Sequence, residues 1–324
     1  MDRLKALGVQ AVTVAVPFPI LYLPYHESRG NGGAAERYAA FYGRLRDEAR
    51  ARGLKIIAET GAVFPSADYS GPGWRGVAAY YRGLSPERFV AGYAANAARA
   101  AETLRPAFIS VGAEPDTGAR IVRQPLGTPE AFAGLVGAAA RAVKARKLPA
   151  TRVGAGVGSW QADWQAYVRR ILAEPIDYVD IHVYPINRDF LPRCLEIAAM
   201  ARAAGRPSAI SEAWLLKATD AELAHIDAAS DSAVFSRDVY AFWVPLDSRF
   251  LRDLVRFARS KRLLFLSPFW SKCFHAYLPW DEATDRLAPG ARSAAHLRLV
   301  ARAIAAGRTT ATGRAYRAAI TRRP

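Results

Sequence analysis

Two short stretches of this chain each end an apolar run in a carboxylate. Phe108-Ile-Ser-Val111 leads through Gly112 and Ala113 to Glu114-Pro115, and Pro207-Ser-Ala-Ile-Ser211 leads to Glu212-Ala213-Trp214. Runs in which β-branched and aromatic residues fill both faces read as buried strands. An acid that leaves the carboxyl end of such a strand stands where α/β folds place their chemistry. Two acids that converge there can divide the work: one protonated and donating, the other ionised and nucleophilic, provided the surroundings split their pKa values. His182 and Tyr184 close a third run, Tyr178 to Tyr184. Trp160, Trp214 and Trp270 also follow strand-like runs and offer flat faces for stacking, or else rim packing. Glu59 ends a further run, as a polar contact or as a partner for one of the many arginines. His275, in the loop after the last run, is a lesser candidate.

The elements that would position these residues alternate along the whole chain. The start, to Leu7, reads as the end of a helix closed by Gly8. Val9–Val16 reads as strand, then Ala34–Arg52 as a helix with Tyr38, Phe41, Leu45 and Ala49 on one face. Leu54–Ala58 is strand, and a loop from Gly61 to Leu84 carries Phe64, Tyr69 and Trp74. Ser85-Pro86 starts a capped helix running to Leu104, and Thr128-Pro129 another running to about Lys147. After the Glu114 strand come strands at Arg152–Ala155 and Tyr178–Tyr184, then the Glu212 strand. Helices over Ala162–Ala173 and Phe190–Ala204 separate them. Residues 213–261 exceed one helix and are expected to hold a loop excursion with two. Leu263–Leu266 is the last strand and Ala291–Ala306 the last helix.

Seven strand–helix alternations are the pattern of parallel βαβ units. An open doubly wound sheet would carry a Gly-rich phosphate loop early, and Gly30-Asn-Gly-Gly33 lacks that spacing. The expected fold is therefore an α/β (β/α)8 TIM barrel spanning residues 1–324 as one domain. Its first strand is missing or irregular, because the sequence begins inside a helix. A truncated start would account for that, and would also have removed any secretion signal.

Composition narrows the partners. Of 324 residues, 51% are hydrophobic and 23% charged, which suits a globular protein with a large core. No apolar run approaches the roughly 20 residues of a membrane span, and no leader pattern is visible. Cys194 and Cys273 match neither a disulfide framework nor a zinc module. The net charge of +16 invites a polyanion. The basic residues are dispersed, however, and 38 of the 45 are Arg in an Ala-rich chain, as GC-rich coding would give. No specific nucleic-acid partner and no membrane partner is expected, and neither oligomeric state nor cell location is fixed.

Ala113-Glu114-Pro115 resembles the Asn-Glu-Pro motif of the retaining (β/α)8 glycoside hydrolases, a clan that includes cellulases, mannanases, β-galactosidases and endo-galactanases. Ile210-Ser-Glu212-Ala-Trp214 resembles that clan's strand-seven motif, and His182-Val-Tyr184 its strand-six segment. The resemblance covers strands two to eight. It implies Glu114 as acid/base and Glu212 as nucleophile of a β-linked oligo- or polysaccharide hydrolase. It further implies Tyr184 bonded to the nucleophile, His182 lining the subsite, Trp270 beneath the sugar ring and no cofactor. Retention needs the two carboxyl groups about 5–5.5 Å apart. Ala113 departs from the pattern: the clan's Asn meets the sugar 2-hydroxyl, and a methyl group cannot. A barrel that binds glycans with little or no cleavage is therefore a second reading. A third is a divalent-metal enzyme using Glu59, Glu114, His182 and Glu212, although no His-x-His or Asp-rich ligand run accompanies them.

Overall fold

The structure, a computed structural model, describes residues 1–63, 72–223 and 232–322. Phe64 and Tyr69 lie outside the described residues, as does the side chain of Trp74. The strands form one parallel sheet in sequence order: β1 (Ala11–Ala15), β2 (Lys55–Glu59), β3 (Phe108–Ser110), β4 (Arg152–Gly158), β5 (Tyr178–Val183), β6 (Ser208–Ala213) and β7 (Leu266–Pro268). With helices between them, they make a nearly closed TIM barrel. The seam between β1 and β7 is bridged by side chains, Thr13 Oγ1 and Ser267 Oγ standing 2.6 Å apart.

Helix starts follow the local chemistry. Ser85 accepts a hydrogen bond from the Arg88 amide and opens Pro86–Leu104, and Thr128 does the same with Ala131 for Pro129–Lys144. Each cap satisfies an amide that the first helical turn leaves without a partner. Among the described residues no helix is long and apolar enough to cross a membrane.

Several expectations change. The Gly61–Leu84 segment is not all loop, since Pro72–Arg82 is helical. Helices Pro115–Val122 and Ala311–Thr321 were not expected. The helix Gly33–Ala51 turns Ala35, Tyr42 and Ala49 inward at seven-residue spacing, and the Tyr42 hydroxyl donates to the Ala15 carbonyl. Of the expected row Tyr38, Phe41, Leu45 and Ala49, Ala49 is buried while Tyr38 and Phe41 are exposed. β7 starts at Leu266 instead of Leu263. Arg262 turns left-handed and the Leu263 amide bonds back to Ala258, so this stretch closes the preceding helix.

Inside the barrel β3, β4 and β5 alternate as period-two geometry requires. Phe108, Tyr178 and Phe265 pack ring to ring as a plug, with centroids 4.8–5.9 Å apart. Ser110, Asp180 and Ser211 form a polar layer beside the plug, joined to it where Ser110 meets the Tyr178 hydroxyl. Room for this filling comes from β4, where every second residue is glycine. A Cβ on Gly154 would stand 2.2 Å from the Tyr178 ring, and one on Gly156 would stand 1.5 Å from the Asp180 carbonyl oxygen. A side chain can rotate away from such a clash, whereas backbone cannot. Gly156→Ala should therefore cost about 3 kcal/mol or more through forced separation of β4 and β5. Urea denaturation reads this directly, and a midpoint equal to wild type would show that glycine does not set the β4–β5 spacing.

Candidate active site

The three strands that carry the candidate acids and histidine each deliver them differently. β5 alternates cleanly: Tyr178, Asp180, His182 and, just beyond the strand, Tyr184 share one side, while Val179, Ile181 and Val183 join the core around the barrel. β6 does not alternate. Asp180 pairs with Ala209 but His182 pairs with Glu212, so two steps along β5 match three along β6. The extra residue is a β-bulge, a device that re-aims side chains. It lets the adjacent Ser211 and Glu212 both reach His182. Glu114 arrives by a third route, as the residue before helix Pro115–Val122, with Pro115 in its first turn. Its carboxylate makes no cap hydrogen bond, and it turns to His182 instead.

His182 is the hub. Its Nδ1 lies 2.8 Å from Glu114 Oε1 and 3.9 Å from Glu212 Oε2, and its Nε2 lies 3.0 Å from Ser211 Oγ. The Tyr184 hydroxyl donates to Glu212 Oε1. Atoms of Glu114, His182 and Glu212 all come within 4.8 Å of one another. Glu59 approaches from β2, and its Oε1 is buried with no hydrogen-bond partner among the described residues.

Electrostatics follow from this crowding. Burial pushes Glu59 up to about 8, and Glu212 adds to the rise. Burial likewise pushes Glu212 up to about 7, opposed by the positive charge of His182 and reinforced by Glu114. Burial alone would lower His182, but Glu212, Glu114 and Asp180 outweigh it and raise the imidazole to about 10. Burial, then the Glu212 charge, drives the Tyr184 phenol well upward. These directions are the ones expected of acids crowded around one imidazole away from water.

The aromatic candidates separate. Trp160 is half-buried at the edge, its indole N–H donating to Asp116 Oδ2 at 3.0 Å and its ring set edge-on to Tyr184 at 5.6 Å. Trp270 is half-buried, with the Lys272 ammonium 3.8 Å above its ring, so one face is taken. Trp214 is a correction. It is only 1% exposed and cannot stack on a ligand in this arrangement. The ring instead lies 5.3 Å from the buried Lys217 ammonium, which bonds Asp247 at 2.5 Å. Residues not anticipated are Ser110, Asp180, Ser211 and Asp116, together with Phe269, which is exposed and 6.4 Å from the Tyr184 ring. The signal for Asp180 was present: polar residues at every second position of Tyr178–Tyr184 mark an inward-facing row.

The 4.8 Å cluster also has the spacing of a divalent-cation site. Imidazole binds a metal through a ring-nitrogen lone pair, yet Nδ1 is engaged with Glu114 and Nε2 with Ser211. As placed, these side chains satisfy one another.

No protein-family model matches the chain, and no curated protein matches it. Solved structures do. A fungal β-1,4-galactanase superposes with a TM-score of 0.53 at 16% identity, over 82% of this chain and 78% of its own. An endo-β-1,4-glucanase from Xanthomonas axonopodis pv. citri gives 0.53 at 13% identity, over 92% and 89%. The chain therefore has the α/β-barrel fold seen in these glycoside hydrolases.

The raised groups make stability depend on pH in one direction. For Glu59 the folded state binds its proton more tightly than the unfolded state. Its contribution is therefore full below about pH 4.5 and is lost as pH rises to about 8. Glu212 acts in the same sense up to about 7, and His182 from 6.5 to about 10. Glu59→Gln should flatten the fall in melting temperature between pH 5 and pH 8. A slope unchanged from wild type would show that Glu59 does not carry a buried proton.

Proposed function

We propose that this chain is a retaining glycoside hydrolase acting on a β-linked oligo- or polysaccharide. The observation that carries the reading is the meeting of Glu114 and Glu212 at the barrel mouth, with atoms within 4.8 Å and His182 and Tyr184 between them. That closeness suits double displacement, because an inverting pair stands about 6.5–9.5 Å apart to admit water. In the first step Glu114 protonates the leaving glycosidic oxygen while Glu212 attacks the anomeric carbon. In the second, Glu114 takes a proton from water as the hydroxyl adds and the bond to Glu212 breaks. The Tyr184 hydroxyl holds the Glu212 oxygen in place. Support for a β-linked substrate comes from the β-1,4-glycanase names of the structures sharing the fold. Glu59, half-buried at the same cluster, is the polar group left to meet a sugar hydroxyl that Ala113 cannot. Trp160 edges the cleft, where half-buried Trp270, with Lys272 and Phe269 packed against its ring, keeps its expected place beneath the sugar.

The test is turnover of a panel of aryl β-glycosides and β-glycans by wild type and Glu212→Ala, with the configuration of the first product read by NMR. Retention is expected, and the variant should lose on the order of a thousandfold or more in kcat. Wild-type kcat/KM should fall on the acid side near pH 7, where Glu212 takes up its proton. Inversion, or turnover that survives in the variant, would remove Glu212 from the role of nucleophile. Turnover abolished by EDTA would move the chemistry to a metal.

A further inference from the structure

Beneath His182 lies a row of hydrogen bonds that the double-displacement scheme does not use. Asp180 is fully buried. Its Oδ1 accepts the Ser211 amide at 2.9 Å, and its Oδ2 accepts the hydroxyls of both Ser110 and Ser211. A hydroxyl has one proton to give. Because Ser211 spends its proton on Asp180, it can offer His182 only a lone pair, so His182 Nε2 must carry hydrogen. On the other edge of the ring, Nδ1 faces Glu114 Oε1 at 2.8 Å and Glu212 Oε2 at 3.9 Å. A bare nitrogen there would oppose its lone pair to the Glu212 anion, and only the Glu114 proton, which the first step gives away, could meet it.

We propose that Asp180 and Ser211 are positioning residues that hold His182 as a doubly protonated ring. In this state one fixed cation serves as counter-ion to a carboxylate charge that alternates between Glu212 and Glu114. This rests on the roles given to those two acids above. The balance is simple. Before reaction Glu212 is the anion and Glu114 carries a proton. When the glycosidic bond breaks, that proton goes to the leaving oxygen and the Glu212 electron pair forms the ester. Glu114 is then the anion, and Nδ1–H already points at it. Water adds in the second step, its proton returns to Glu114, and the ester bond returns its electrons to Glu212. His182 neither gains nor loses a proton. The charged and titratable groups facing the ring are Glu59 from β2, Glu114 ahead of its helix, Asp180 on its own strand, Glu212 from β6 and the Tyr184 hydroxyl. Its raised proton affinity accords with this company.

The protonation state of His182 can be read without substrate. The chain has five histidines, and long-range 15N–1H spectra of the full chain, with His182→Asn to assign the signal, report both ring nitrogens. Wild type should show His182 protonated on Nδ1 and Nε2 at pH 7 and above. In Asp180→Asn the ring should lose a proton at least about one pH unit lower. In Ser211→Ala the neutral ring, formed once pH exceeds its pKa, should show mixed tautomers where wild type keeps the Nε2–H form. If Asp180→Asn does not fold, Ser211→Ala carries the test. On aryl β-glycosides both variants should lose about tenfold or more in kcat with KM little changed. A neutral His182 in wild type at pH 7, or a titration unmoved in Asp180→Asn, would overturn the inference. If wild type cleaves no glycoside, the spectra still decide whether the ring is held as a cation, so the two readings fail separately.

Discussion

Like charges crowded into a place with little water are the constraint on which this barrel mouth depends. Glu59, Glu114, Asp180 and Glu212 all stand within reach of one imidazole. At low dielectric, repulsion between acids a few ångströms apart is strong, and the acids respond by holding protons or by sharing a cation. Both responses occur. Glu59 and Glu212 are pushed upward, and the same acids raise the proton affinity of His182. The features of β4, β5 and β6 then read as consequences. Glycines on β4 make room, alternation on β5 stacks Asp180 below His182, and the bulge on β6 brings Ser211 and Glu212 to the same ring.

The long connection after β6 needs separate support, because it leaves the strand directly beyond Glu212. Lys217 provides it from the interior. Its ammonium, buried with Asp247 at 2.5 Å and Asp238 at 3.3 Å, draws this segment onto helix Val244–Ser260. The Tyr277 hydroxyl donates to the second Asp247 oxygen at 2.8 Å. Removing one partner of such a pair leaves an uncompensated buried charge, at a cost of about 3–5 kcal/mol. Trp214 packs against the same ammonium, which accounts for its burial away from the cleft.

Much of this was legible in the sequence, for physical reasons. Caps at Ser85 and Thr128 fixed helix starts, and apolar runs ending in an acid located Glu59, Glu114 and Glu212. Strand-end placement put His182 and Tyr184 beside them. Other features depend on contacts that no local pattern carries. The inward row of Gly33–Ala51 is set by Ala35, Tyr42 and Ala49, of which the apolar spacing marks only Ala49. Trp214 looked like a cleft aromatic because it follows the strand that ends in an acid, and only the distant Lys217 explains its position. The bulge in β6 has no glycine to mark it.

That bulge bears most directly on how the site is assembled. In an unbroken strand Ser211 and Glu212 would point to opposite sides, so a barrel could present one or the other to His182. With one added residue, β6 supplies Glu212 to the Nδ1 edge and Ser211 to the Nε2 edge of the same ring. Asp180, two residues before His182 on β5, holds Ser211 by both its amide and its hydroxyl. The bulge is thereby pinned at the residue that orients the imidazole. A local irregularity of register and the charge state of the site are in this way a single structural fact.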